Sequence, residues 1–173
     1  MQLLARFRVA LGWVFGPLVL LLAEPTPPSL VVGFAIAAAG ESLRFWAAGH
    51  LNKSREVTSS GPYRWFSHPL YVGSSIMGLG FGIASHSLIA LGIIALYLVT
   101  TLRAAVRSEE AFLRQLFGDH YDRFKRGELL RDHESHRRFS VAQALANHEM
   151  RAVAGLVFVW LLLFLKATYN RMF

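Results

Sequence analysis

Four stretches of the chain contain no Asp, Glu, Lys or Arg: 9–23, 25–40, 65–102 and 152–165. A helix that spans the hydrocarbon of a bilayer needs about 20 largely apolar residues. The first stretch is short alone, but Arg6 and Arg8 can extend it by snorkelling toward head groups. It ends at Glu24-Pro25-Thr26-Pro27-Pro28-Ser29, where prolines remove amide donors and fix φ. The second helix is predicted over 29–51 and carries Glu41 and Arg44 within it. The 38 uncharged positions from Trp65 to Leu102 are too many for one span. Ser85-His86-Ser87 is their polar cluster, so they divide into helices over 69–84 and 87–106. A fifth span is predicted over 150–169. The pattern predicts one all-α integral membrane domain over 1–173, with about five transmembrane helices. The apolar amino-terminal run is read as a retained span rather than a cleaved signal, because no small-x-small pattern follows Leu22.

Composition agrees with this pattern and narrows the chemistry. Hydrophobic residues make up 54% and charged residues 17%, against roughly 45–50% and about 25% in soluble domains. The absence of cysteine excludes a disulfide framework, thiolate zinc sites and thiol nucleophiles. The net charge of +7 raises nucleic acid as a partner. Yet Arg6, Arg8, Arg44, Arg103, Arg151 and Lys166 lie beside or inside apolar runs, which points to anionic lipid head groups instead. Lys53, Arg55 and Arg64 fall between the second and third spans, and eight further basic residues lie in 107–149. The positive-inside rule then puts the amino terminus and both of these segments in the cytoplasm, and the carboxyl terminus outside.

Within the uncharged run, Gly78-Leu79-Gly80-Phe81-Gly82 imitates a glycine-rich nucleotide loop. That loop needs a βαβ unit around it. Ser74, Gly78 and Gly82 recur every four residues, so the expectation is a small face for close helix packing. His133-Glu134-Ser135-His136 is one residue too short for the zinc helix pattern, and no metal site is expected.

Two cytoplasmic segments carry candidate chemistry. In Gly61-Pro62-Tyr63-Arg64-Trp65-Phe66-Ser67-His68-Pro69-Leu70-Tyr71-Val72-Gly73, Gly61-Pro62 makes a turn and Pro69 suits the first turn of a helix. His68 then stands at a helix entrance, where unpaired amides favour an anion. The plainer account of the tyrosines and tryptophan is an interfacial aromatic belt. In the second segment, Leu113, Leu116, Phe117, Tyr121 and Phe124 have helical spacing, which predicts an amphipathic helix at the membrane surface, bent at Gly118. Glu109 and Glu110 are placed to pair with Arg103 and Arg107. Glu41 and Arg44 form an i,i+3 pair inside a span, where ionisable groups are costly and mark a site or a structural ion pair.

The run Gly61-Pro62-Tyr63 … His68-Pro69-Leu70-Tyr71-Val72-Gly73, followed by Glu109-Glu110-x-x-Leu113-x-x-x-Phe117-Gly118-x-x-Tyr121, resembles the isoprenylcysteine carboxyl methyltransferase family. Phospholipid methyltransferases share this superfamily pattern. Leu43-Arg44-Phe45-Trp46-Ala47 is similar to the family's second helix, so the resemblance covers about residues 40–131. The chain departs from the pattern at Ser67, where the family usually has arginine, and at Phe124, where a tyrosine is usual. The resemblance implies a membrane enzyme that uses S-adenosylmethionine without a Rossmann domain, with the cofactor arriving from the cytoplasm and a lipid-linked acceptor from the bilayer. It implies cofactor binding by Tyr63, Trp65, His68, Pro69, Tyr71, Gly73, Glu110 and Tyr121. His68, Tyr71 and nearby amides would hold the cofactor carboxylate. Glu110 would accept from the amine or ribose, and the aromatic rings would cover adenine or the sulfonium. Arg44 or Arg131 would orient an acceptor carboxylate such as that of an isoprenylcysteine, while an amine acceptor would turn to His68 or Glu110 as base. Catalytic roles are thus expected for Arg44, Glu110 and Arg131. Two other classes stay open: an NADPH-dependent enzyme like the carboxyl-terminal half of sterol reductases, and a non-catalytic membrane adaptor.

Overall fold

A computed structural model describes residues 12, 14–53, 55–128 and 138–172, and among them there are helices and turns but no strand. The helices are α1 (14–22), α2 (Pro27–His50), α3 (Pro69–Ala84), α4 (Leu88–Phe117), α5 (Asp119–Lys125), α6 (Val141–Ala146) and α7 (Met150–Met172), with a 3₁₀ turn at Gly61–Arg64. The proline-rich break works as a helix start. Thr26 accepts from the Ser29 amide, Ser29 accepts in return from the Thr26 amide, and prolines fill the first turn, where no donor is needed. The Ser29 hydroxyl also donates to the Ala84 carbonyl, which ties the start of α2 to the end of α3.

Among the described residues, three helices are long and apolar enough to cross a membrane: α2, α4 and Met150–Asn170 of α7. The expected third span is apolar but only 16 residues long. The expected first span lies partly outside the described residues. The molecule is therefore an all-α membrane protein, with three of the five anticipated spans meeting the full length on their own.

The amphipathic segment corrects the sequence reading. It is not a separate surface helix from Arg107 onward, because α4 runs unbroken for 30 residues to Phe117. At 1.5 Å per residue that is about 45 Å, against roughly 30 Å of hydrocarbon, so the charged end of α4 projects beyond the apolar layer. The break does fall at Gly118, whose φ of +53° suits glycine.

Helices α2 and α3 pack backbone to backbone. A Cβ added at Gly40 would lie 2.6 Å from the Gly73 carbonyl oxygen, and one at Gly33 would lie 2.6 Å from that of Gly80. The predicted small face divides between two neighbours: Gly78 and Gly82 receive Leu98 and Leu91 of α4, while the unpredicted pair Gly73 and Gly80 meets α2. The segment leading into α7 is held differently, through α6 and its carboxyl-terminal cap. Asn147 donates to the Ala48 and Leu51 carbonyls and Gln143 to that of Leu51, satisfying acceptors that the end of α2 leaves open. At the other end Lys166 donates to the Leu20 and Leu21 carbonyls of α1, and Trp160 packs on Phe34 with ring centroids 5.0 Å apart.

Candidate functional site

The two motif segments meet. His68 is the residue before α3, at φ −137°, and its ring does not cap the helix. Its Nε2 instead lies 3.2 Å from Glu110 Oε1, and its Nδ1 lies 3.8 Å from Glu109 Oε2. Lys125 of α5 reaches the same Glu110 oxygen at 2.5 Å, and Arg114 approaches the other at 3.9 Å. The bend at Gly118 is what turns α5 back so that Lys125 can do this. These contacts reach across from α4 to the entrance of α3 and to α5, with Arg114 of α4 joining them one turn beyond Glu110.

Beside this cluster is a cavity of about 580 Å³, lined among others by Arg44, Tyr63, Ser67, His68, Pro69, Tyr71, Glu109, Tyr121 and Glu149. Small-molecule sites commonly occupy roughly 300–1,000 Å³. Segment 52–67 closes one side of it. Gly61, at φ +58°, lets the chain pass the His50 ring, where a Cβ would lie 2.5 Å from Cδ2. His50 Nδ1 is 3.1 Å from the Ser60 hydroxyl. Val57 from this segment joins Tyr121 and Phe124 in an apolar cluster against Leu113 and Phe117.

Tyr121 is 1% exposed, and its hydroxyl has no hydrogen-bond partner. Burial, with the Glu110 and Glu109 charges, pushes its pKa up to about 12. Burial likewise pushes that of Tyr63 upward. Both phenols are neutral at physiological pH, and Tyr121 offers an unused donor in the cavity wall. An unsatisfied buried hydroxyl costs about 1–3 kcal/mol, which a ligand acceptor would recover.

The anticipated site residues separate into groups. Arg44, Tyr63, His68, Pro69, Tyr71 and Tyr121 line the cavity, and Glu110 stands behind His68. Trp65 does not line it: 69% exposed, it packs on Trp46 at 5.7 Å, as a belt residue would. Gly73 is a packing position, where a Cβ would lie 2.6 Å from Arg44 Cγ. The expected anion-binding amides are largely spent, since Pro69 has none and those of Tyr71 and Val72 donate to the His68 carbonyl. Arg131 and the 133–136 segment lie outside the described residues.

Arg44 crosses α3 beside Gly73. One of its terminal nitrogens donates to Ser74 Oγ at 2.5 Å and the Leu70 carbonyl at 3.3 Å, and the other is 2.7 Å from Glu149 Oε1. Its Nε lies 3.4 Å from Glu41 Oε2. Glu149 had not been singled out. The available signal was an acid three residues before an uncharged run and two residues after the Asn147 that binds α2. Among the described residues no group of three or more His, Asp or Glu is placed to hold a metal ion.

These features define a helical membrane protein whose polar cavity forms where the entrance of one helix meets the projecting end of another. The chain belongs to the phospholipid methyltransferase family, whose model matches residues 29–120. It is 33% identical over 89 residues to a cobalt-zinc-cadmium resistance protein of Cupriavidus metallidurans, covering 50% of this chain and 40% of that one. It is 29% identical over 92 residues to the protein-S-isoprenylcysteine O-methyltransferase of Schizosaccharomyces pombe, covering 53% and 39%. It is 32% identical over 98 residues to a nickel-cobalt-cadmium resistance protein of Alcaligenes xylosoxydans, covering 56% and 45%. The chain thus spans less than half the length of each of these relatives. No solved structure matches it.

Proposed function

We propose that this protein transfers a methyl group from S-adenosylmethionine to an amphiphilic acceptor at the cytoplasmic face of a membrane. The observation that carries the reading is the 3.2 Å approach of His68 to Glu110 beside a cavity walled by Tyr63, Tyr71 and Tyr121, in a chain of this family. The cofactor supplies a methyl group made electrophilic by its sulfonium. The residues present suit it: Glu109 offers an acceptor to an amine, His68 and the orphan Tyr121 hydroxyl offer polar contacts, and the phenol rings present faces to a cation or a purine. The protein's part is alignment and exclusion of water rather than acid–base chemistry, as expected where a cofactor carries the reactive group. The concentration of lysine and arginine in 52–67 and 107–149, against none in 24–29 and 85–87, supports a cytoplasmic cavity. The cavity's membrane side, formed by α2 and α3, supports an acceptor that arrives from lipid.

Thermal stabilisation of the purified protein by S-adenosylhomocysteine tests this directly. Stabilisation that His68→Ala and Glu110→Gln each reduce at least tenfold in affinity is the expected result. Stabilisation by NADPH instead, or by neither compound, would replace the reading with the reductase or adaptor class.

A further inference from the structure

On the far side of Arg44 there is a second recess. Glu41, Ser42, Phe45 and Trp46 of α2, with Phe139 and Val153 of α7 and its approach, line an open apolar groove of about 590 Å³. Arg44 and Glu149 line the first cavity and Glu41 lines this groove, so the Glu41–Arg44 ion pair is the partition between them. Phe139 and Val153 lie beyond residues 29–120, the part that matches the family, so this side of the groove is particular to the rest of the chain.

Glu41 sits at its inner end and is only 6% exposed. Neither carboxylate oxygen receives a hydrogen bond, because Arg44 Nε at 3.4 Å makes an ion pair without one. One guanidinium serves two carboxylates, Glu41 and Glu149, and among the described residues no second cation pairs with either. That leaves one carboxylate without a countercharge, at a depth where an uncompensated charge is expensive. The same pairing means that a carboxylate arriving at Arg44 would meet two others already on that guanidinium.

We propose that the α2–α7 groove is a second ligand site, for a long-chain amphiphile whose cationic end seats against Glu41. Phe45, Trp46, Phe139 and Val153 hold the chain, and Glu41 selects the head group by charge. That this amphiphile is the methyl acceptor rests on the function proposed above; its binding does not. The head group at Glu41 stands one side chain away from the cofactor cavity.

The test is photo-crosslinking in nanodiscs of zwitterionic lipid, using two diazirine probes of equal chain length, one ending in a primary ammonium and one in a carboxylate. Labelled residues are mapped by mass spectrometry. The ammonium probe should label the groove at least fivefold more than the carboxylate probe. Glu41→Gln should abolish that preference, and Val153→Trp, which fills the groove from a partly lipid-facing position, should lower ammonium labelling at least fivefold. If Glu41→Gln does not fold, the wild-type preference and Val153→Trp decide alone. Equal labelling by both probes, labelling spread over lipid-facing residues such as Leu88, Ile89 and Leu96, or indifference to Val153→Trp would overturn the proposal. Groove labelling without S-adenosylhomocysteine binding would keep the site and discard methyl transfer, whereas cofactor binding without selective labelling would do the reverse.

Discussion

Helices α2 and α3 are joined by backbone contact through four glycines, while α6 and its carboxyl-terminal cap are joined to α2 by side chains reaching carbonyl groups. The first kind of interface has no slack, since any added atom meets main chain. The second tolerates adjustment, because one lost amide still leaves others. The pair α2–α3 therefore acts as a frame, and it positions both Arg44 and the His68 entrance. The turn between α6 and α7 brings Glu149 to that frame, and Arg44 is where the two regimes meet.

Arg44→Ala breaks the comparison most severely. It would leave Glu41 and Glu149 buried together without their guanidinium, and removing one side of a buried charge cluster costs about 3–5 kcal/mol. The expected result is loss of a cooperative thermal transition in detergent, followed by intrinsic fluorescence. Adding Glu41→Gln and Glu149→Gln to Arg44→Ala should restore part of the stability. No recovery would mean that Arg44 matters for its contacts to Ser74 and Leu70 instead.

Gly40→Ala comes next. The new methyl would sit 2.6 Å from the Gly73 carbonyl and from the Met77 amide, and overpacking of this kind costs about 1–3 kcal/mol. Gly92→Ala is the matched control, because a Cβ there meets nothing within 4 Å. A helical alanine is favoured over glycine by about 1 kcal/mol, so this control should hold or gain stability. Equal losses at both positions would show that the glycines serve helix flexibility rather than close approach.

Asn147→Ala probes the looser interface. It removes two hydrogen bonds to α2 carbonyls, each worth about 0.5–1.5 kcal/mol, and Gln143 retains the Leu51 carbonyl. Limited proteolysis between α6 and α7 should accelerate several-fold. An unchanged cleavage rate would mean that Gln143 alone holds this interface.

Much of this was legible from charge-free runs and turn residues, because burial in lipid demands both. The third helix begins and ends where Pro69 and the Ser85-His86-Ser87 cluster indicated, and the expected ends of the second and fifth lie within a few residues of those observed. The joining of His68 to Glu110 was legible only as two motifs on the same membrane face; their distance depends on how far α4 projects and on the bend at Gly118. Three things were not legible. The continuity of α4 escaped notice because its pattern changes from apolar to amphipathic where it leaves the bilayer, without any change in backbone. The Gly33–Gly80 and Gly40–Gly73 contacts depend on the register between two helices, which periodicity within either cannot supply. Nothing in the sequence marks Glu149 as inward-facing, and only the tertiary arrangement turns it to Arg44.

Trp65 gives the smallest expected effect and the sharpest limit on the site. It lies between two residues that line the cavity, Tyr63 and Ser67, and sequence proximity alone would put it there too. The 3₁₀ turn at Gly61–Arg64 sends Tyr63 inward, buried at 8% exposure, and leaves Trp65 outward against Trp46. Trp65→Ala loses one partly exposed aromatic contact, worth about 0.5–1.5 kcal/mol, and none of the cavity wall. S-adenosylhomocysteine affinity should therefore stay within twofold of wild type, while Tyr63→Ala, two residues earlier, should lower it at least tenfold. Equal losses in the two variants would mean that segment 52–67 closes over the ligand as a unit, with both rings against it.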